Sequence, residues 1–262
     1  MKYVVVTGAY GGMGKEVCSL LASNGYTVFA LDKKVEDNKN GIIPIEVDVT
    51  DCKSVEQAVN SISSITDKVH AVIHFAGIYV LDSLVEMSEE RFIKAFNVNL
   101  FGVYRLNKLL TPMLKGGKII ITTSELAPLD PLPFTGIYAI TKSALDKYAY
   151  SLRMEVQLLN ISVSVIRAGA VDTGLLGVSN VELDKFIEST KLYACNAKRF
   201  KKVVGSVEAK CVKPIVIAKK TLKIVNSKRP KYVYNVNRNK LLLLLNVLPK
   251  RLQNYIIKKI LK

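Results

Sequence analysis

A tyrosine and a lysine four residues apart on a helix place a phenol and an ammonium on one face, an arrangement suited to moving protons. In this 262-residue chain the spacing occurs three times, at Tyr104/Lys108, Tyr138/Lys142 and Tyr255/Lys259. A phenol of pKa about 10 is a poor base at neutral pH, and a neighbouring cation favours its ionised form. Bringing it near 7 takes about 3 pKa units, roughly 4 kcal/mol, which two close cations in a low-dielectric pocket supply. With 12 tyrosines and 38 basic residues in the chain, the pair alone proves nothing. Its neighbours must choose among the copies.

They choose Tyr138. Ser124 stands fourteen residues upstream, just past a β-branched run, where its hydroxyl can hold a substrate oxygen. Asn99 lies on the preceding helix, where its amide can hold a water that relays protons to Lys142. Neither other pair has a strand-end serine at comparable spacing. Near the N-terminus the run Thr7-Gly8-Ala9-Tyr10-Gly11-Gly12-Met13-Gly14 links a strand to a helix. Such a turn lets backbone approach a pyrophosphate, whose charge sits on the helix N-terminal amides. Gly8, Gly12 and Gly14 fit one dinucleotide fingerprint, and Gly8, Gly11 and Gly14 fit another. Asp32 ends the second strand, 18 residues after Gly14, where an acid accepts hydrogen bonds from the adenosine ribose. A 2′-phosphate would meet like charge there, so NAD is expected over NADP, with Lys33 and Lys34 softening the preference. Asp48 and Val49, after the next strand, suit the adenine amino group and ring; the alternative for Asp48 is a helix N-cap, since Asp51-Cys52-Lys53 leads into a helix.

Strands and helices must alternate to position these residues. Strand patterns cover 2–7, 27–31, 42–47, 71–75, 118–122, 162–166 and 231–236. Helical patterns cover 15–23, 54–65, 89–114, 138–159 and 212–224. Strands apolar on both faces and separated by helices predict a doubly wound parallel sheet, a Rossmann fold with helices on both faces. No linker or repeat interrupts it, so residues 1–262 are expected to form one catalytic domain.

Composition narrows the setting. Apolar residues make up 49% of the chain, enough for a large core. The four cysteines lack C-x-x-C spacing, which fits a reducing, cytoplasmic compartment. His70 and His74 fall on one strand, about 13 Å apart on one face, too far to share a metal. Met1 leads straight into an apolar strand, which predicts no secretory leader, and no apolar run reaches membrane-spanning length. The net charge of +16 is concentrated: residues 1–197 sum to −2 and residues 198–262 to +18. No stacking-aromatic pattern or nucleic-acid module accompanies that basic stretch, so nucleic acid is not the expected partner.

Taken together, these motifs resemble the short-chain dehydrogenase/reductase family, in its shorter single-domain branch. The resemblance rests on the 7–14 loop, Asp48-Val49, His74-Phe75-Ala76-Gly77, Asn99, Ser124, Tyr138, Lys142 and the stretch Arg167 to Thr173. It implies that Tyr138 is the acid/base and Ser124 the substrate-oxygen donor. Lys142 would modulate the tyrosine and bind the nicotinamide ribose, and Asn99 would carry the water relay. Ala76 and Gly77 would line the cofactor, with Val171 and Thr173 flanking its nicotinamide end. The family implies homodimers or homotetramers. Three departures stand out: His74-Phe75 replaces the usual Asn-Asn, Ala168-Gly169 replaces Pro-Gly, and the Ser124–Tyr138 spacing is one residue longer than is common. Glu125, at the usual spacing, is the alternative to Ser124. A non-catalytic NAD sensor and an epimerase or dehydratase of the longer branch are the competing functions.

Residues 174–210 are expected to form the substrate lid, with Leu175, Leu176, Val178, Phe186, Ile187, Leu192, Tyr193 and Phe200 giving it an apolar lining. Val80, Leu81, Leu126 and Leu129 would extend that surface. The implied substrate is an apolar alcohol or ketone, of steroid, retinoid or lipid type. In the tail 240–262, Leu252, Tyr255, Ile256 and Ile260 share a helical face opposite several lysines. Three readings compete for it: cover over the pocket or a subunit interface, peripheral membrane contact, and an acidic partner.

Overall fold

The structure is a computed structural model that describes every residue except Asn40, Ala209 and Lys210, and gives backbone only for 174–180 and 205–208. Seven strands form one sheet: β1 Lys2–Thr7, β2 Tyr26–Asp32, β3 Ile42–Glu46, β4 Ala71–His74, β5 Lys118–Thr122, β6 Ser162–Ala168 and β7 Val233–Val236. Their spatial order is β3-β2-β1-β4-β5-β6-β7, all pairs parallel. The order reverses between β1 and β4, and at such a switch point a crevice opens beyond the carboxyl ends of the strands.

The helices are α1 Gly12–Ser23, α2 Cys52–Ser63, α3 Glu89–Phe96, α4 Gly102–Leu110, α5 Gly136–Val156, α6 Gly174–Ser189, α7 Ala194–Glu208, α8 Pro214–Asn226, α9 Lys240–Val247 and α10 Lys250–Leu261. Strand pleating assigns alternate residues to the two faces. Val5, Phe29, Val72, Ile121 and Val163 pack under α2, α4 and α5, whereas Val4, Val28, Ile73 and Ile120 pack under α1 and α8. This two-sided burial explains why the strands read as continuous apolar runs. Asp51 caps α2 by accepting from the Lys53 amide, so the helix-start role belongs to Asp51 and leaves Asp48 free for other contacts.

The sequence pattern for one helix over 89–114 is corrected. Ser88 starts α3 by accepting from the Arg91 amide, but the helix widens into a π-turn over Asn97–Phe101 before α4 resumes. A π-turn inserts one extra residue per turn and rotates the helix beyond it, a disturbance frequent at functional sites. Asn99 sits at its centre, fully buried. Hydrophobic periodicity averages over such a local change and cannot show it.

Candidate active site

The glycine turn is built by close approach. Gly8 adopts φ +64°, and a Cβ there would fall 2.6 Å from the Ala76 nitrogen. A Cβ on Gly14 would fall 2.0 Å from the Gly8 carbonyl oxygen, and one on Gly12 2.8 Å from the Thr173 Cβ. On Gly11 the nearest atom would be 3.4 Å away, an ordinary contact. Close approach therefore excludes a side chain at Gly8, Gly12 and Gly14, and not at Gly11. Gly11 precedes α1 without any side-chain cap, so the first-turn amides of this 12-residue helix meet no acceptor from a capping side chain. Gly11, Gly12, Met13 and Gly14 line the main cavity, and an anionic pyrophosphate fits amides so presented.

Asp32 is anchored on both oxygens, accepting from the Tyr10 amide at 3.0 Å and the Lys33 amide at 2.8 Å. The Lys33 ammonium turns instead to Asp48, 2.7 Å away. Burial raises the Asp48 pKa, but Lys33 and the Thr50 hydroxyl and amide outweigh it and hold the carboxyl down at about 2. The Asp48 carboxylate thus already has partners, while Val49 lines the cavity beside Val47. Val171 is buried and bridges to Val212, which fixes the loop carrying Thr173 against Gly12.

Tyr138 and Lys142 start α5 on one face, with the Lys142 ammonium 5.7 Å from the Tyr138 ring centre and donating to the Thr122 carbonyl at 3.2 Å. The structure brings Ser124 to this pair: its hydroxyl lies near enough the phenol to favour the ionised form weakly, and it accepts from the Leu126 amide at 3.2 Å. Glu125 points elsewhere, accepting from the Asn239 amide at 2.6 Å and lying beside Gly169. The fourteen-residue interval therefore delivers the serine, not the glutamate. Within it Phe134 takes φ +67°, strained for an aromatic residue, and packs in tilted and edge-on contact with Phe186, Tyr193 and Phe200.

Two electrostatic expectations change. In the protein alone, burial pushes the Tyr138 phenol up to about 12, with the Ser124 hydroxyl pulling weakly the other way. Burial also lowers the Lys142 ammonium to about 8. The expected depression of the tyrosine is absent because desolvation opposes both charged forms, and the cation of an oxidised nicotinamide is not part of the protein. Asn99 is tied to neighbouring elements. Its Oδ1 accepts from the Ile78 amide at 2.8 Å, and its Nδ2 donates to the Ile78 carbonyl at 3.0 Å and the Thr141 hydroxyl at 3.1 Å. Through these bonds the side-chain amide braces the loop after β4. A Cβ on Gly77 would lie 3.2 Å from Asn99 Oδ1 and 3.5 Å from the Lys142 ammonium, so this loop reaches both groups.

Sequence spacing did not reveal Thr141, or Tyr79, whose ring lies 4.8 Å from that of Tyr138. Burial explains the His74 departure: its Nε2 lies 2.8 Å from the Asn107 amide oxygen, and desolvation lowers its pKa to about 4, so the ring is neutral. Among the described residues no cluster of metal-binding side chains occurs.

The glycine turn, Asp32, Ser124, Tyr138 and Lys142 open into one cavity of about 1150 Å³. One end is walled by the glycine turn, Asp32, Ala76 and Gly77, the middle by Ser124, Tyr138 and Lys142, and the far end by apolar side chains. Phe200, Val204, Leu242, Leu245 and Ile257 belong to that far end. The lid expectation holds in part. Phe186 is buried in the aromatic cluster, Leu192 is 68% exposed, and the side chains of Leu175, Leu176 and Val178 lie outside the described residues. Of the four residues expected to extend the surface, Leu126 lines the cavity, whereas Val80 and Leu81 are core. In the tail, Ile256, Ile257, Ile260 and Leu261 line the cavity while Leu252 and Tyr255 face outward, so the inward face is rotated from the one expected.

A doubly wound sheet whose switch point carries an uncapped glycine turn, with a Ser–Tyr–Lys group beside it, defines a dinucleotide-dependent oxidoreductase. The family model for short chain dehydrogenases matches residues 2–183, and the chain belongs to that family of NAD(P)-dependent enzymes. It is 28% identical over 231 residues to the 3-ketodihydrosphingosine reductase of Bacteroides thetaiotaomicron, covering 87% of this chain and 85% of that one. It is 25% identical to the NADPH-dependent 3-dehydrocapnine reductase of Ornithobacterium rhinotracheale, over 100% of this chain and 98% of that one. An alcohol dehydrogenase from Thermococcus sibiricus, solved with 5-hydroxy-NADP, superposes with a TM-score of 0.74 at 25% identity, over 92% of this chain and 99% of that one.

Proposed function

We propose that this enzyme reduces a ketone on a long, largely apolar molecule to the alcohol, and that residues 1–262 act as one catalytic unit. The observation that carries the reading is the single cavity, which joins the cofactor-binding turn to an apolar far end past Tyr138. At about 1150 Å³ it exceeds the roughly 300–1,000 Å³ of a single drug-sized ligand site, and so accommodates a cofactor and an extended substrate together. The names of two relatives support the reading, one a 3-ketodihydrosphingosine reductase and the other a 3-dehydrocapnine reductase.

In this reading the nicotinamide supplies the hydride. Ser124 holds the carbonyl oxygen, and Tyr138, protonated at neutral pH, gives that oxygen its proton. Lys142 stands between the tyrosine and the Thr122 carbonyl and is suited to replenish the proton and to hold the nicotinamide ribose. Asn99 keeps Gly77 and Ile78 in place beside it. Gly8, Tyr10, Gly11, Gly12, Met13, Gly14, Ala76, Gly77, Val171 and Thr173 would hold the pyrophosphate and nicotinamide end, and Asp32, Asp48 and Val49 the adenosine end. NAD(H) is the preferred cofactor on Asp32, because Lys33 is drawn away to Asp48. Asp32→Ser should then improve NADPH use relative to NADH at least about tenfold; an unchanged ratio refutes the assignment. We place the enzyme in the cytoplasm as a homodimer or homotetramer. Phe101, Tyr104, Tyr150 and Met154, exposed on the π-turn, α4 and α5, supply apolar surface for a second copy.

The test is a chain-length series of ketones read at the absorbance band of the reduced nicotinamide. Catalytic efficiency should rise with chain length. Activity confined to small polar ketones would overturn the reading.

A further inference from the structure

The helices α9 and α10 each present two apolar faces. One face lines the cavity through Leu242, Leu245, Ile256 and Ile257. The other meets solvent, with Leu244 62%, Val247 83%, Leu252 44% and Tyr255 61% exposed. A helix apolar on all sides is stable when all sides are covered, so the outward face of Lys240–Val247 calls for a neighbour.

Charge selects which neighbour. Residues 240–262 contain six Lys or Arg and no acid. Lys250 is drawn to Asp130, while Lys240, Arg251, Lys258, Lys259 and Lys262 are exposed. The adjoining α7, which packs on α10, adds exposed Lys198, Arg199 and Lys202. A second copy of this chain on the same face would set cation against cation. An acidic protein would answer the lysines but not a spread of aliphatic side chains. Aliphatics, a tyrosine and cations mixed on one surface match the boundary between headgroups and acyl chains of an anionic bilayer. No helix among the described residues is long and apolar enough to cross a membrane, so the contact is interfacial.

We propose that α9 and α10 seat the protein on an anionic membrane surface, with their outward faces in the lipid boundary and their inward faces walling the substrate cavity. Resting on the lipid-like ketone proposed above, the consequence is a route by which substrate passes from bilayer to Tyr138 between apolar side chains without crossing water.

Sedimentation of the full-length protein with phosphatidylcholine vesicles, with and without phosphatidylglycerol and free of ketone, tests the surface. The anionic vesicles should pellet the protein at least about tenfold more effectively than the neutral ones, with partial release at high salt. The triple variant Arg251→Glu/Lys258→Glu/Lys259→Glu should lose that binding about tenfold or more, and Leu244→Ser/Val247→Ser severalfold. NADH binding serves as the folding control for both. Protein that stays in the supernatant, that pellets equally with neutral vesicles, or that ignores the charge reversal overturns the proposal. So does conversion of a dimer to a monomer by the same variants without vesicle binding, which would show that a second copy covers the face. Because the vesicles carry no ketone, failure here leaves the ketone reductase reading untouched, and a protein that binds vesicles but reduces no ketone fails only that reading.

Discussion

The two ends of the cavity are made of different material. At the cofactor end the walls are backbone: Gly8 against Ala76, Gly14 against Gly8, Gly12 against Thr173, all at distances that leave no room for one more carbon. At the far end the walls are side chains of α7, α9 and α10, several of them half-exposed and none fixed by a turn of special conformation. Charge divides the chain in nearly the same place, −2 before residue 198 and +18 from there on. A backbone wall admits one ligand shape and tolerates almost no substitution. A side-chain wall keeps its function as long as it remains apolar and of similar volume. One chain can therefore hold its cofactor chemistry constant while the substrate end is free to change.

That contrast can be broken or sharpened, beginning where the effect is largest. At the junction of the two ends, Tyr138→Phe should lower kcat by about 10²- to 10⁴-fold while NADH binding stays within about twofold. Turnover near the wild-type rate would remove the tyrosine from the proton transfer. At the backbone end, Gly14→Ala should cost about 2–3 kcal/mol of stability, whereas Gly11→Ala should cost less than about 1, as read by denaturant melts. Equal costs would mean that the turn is not held by contact.

Lys142 gives a pH signature of similar size. Its folded pKa of about 8 lies below its ordinary value of 10.5, so at pH 8 to 10 the unfolded chain holds a proton that the folded one has lost. Stability from this group therefore rises with pH across that window, by up to about 3 kcal/mol. Cys18 and Tyr138, both raised to about 12 by burial, oppose the rise from about pH 9 upward. The difference between wild type and Lys142→Met isolates the lysine: the variant's advantage in chemical melts should shrink as pH rises from 8 to 10, and a constant difference would contradict the buried cation. At the side-chain end, Leu245→Ala should shift KM for long-chain ketones by a few-fold and leave short ones unaffected. Smallest of all, Lys250→Ala removes an exposed ion pair with Asp130 and should change stability by no more than about 0.5 kcal/mol.

Much of this was legible in the sequence, and the legible parts share a cause. The glycine turn, the alternation of apolar runs, Asp32 at the second strand end and the Tyr138–Lys142 pair are each demanded by local geometry: a positive φ, a two-residue pleat, a four-residue helical repeat. Local demands leave marks at fixed spacing. The remaining decisions depended on groups distant in the chain. Packing on Thr173 left no room for a side chain at Gly12, and the Asn239 amide drew Glu125 aside so that Ser124 met Tyr138. The π-turn at Asn97–Phe101 committed Asn99 to Ile78 and Thr141. Desolvation, not the nearby lysine, raised the Tyr138 phenol in the protein alone. The rotation of α10 was fixed by which face could cover the cavity. By itself the sequence determined the fold, the glycine turn and the placement of Tyr138 and Lys142 on one helix face, because these depend on neighbours along the chain. Only the tertiary structure decided the desolvation of that pair, the hydrogen-bond partners of Asn99 and the shape of the apolar end of the cavity, because desolvation and packing sum over neighbours in space.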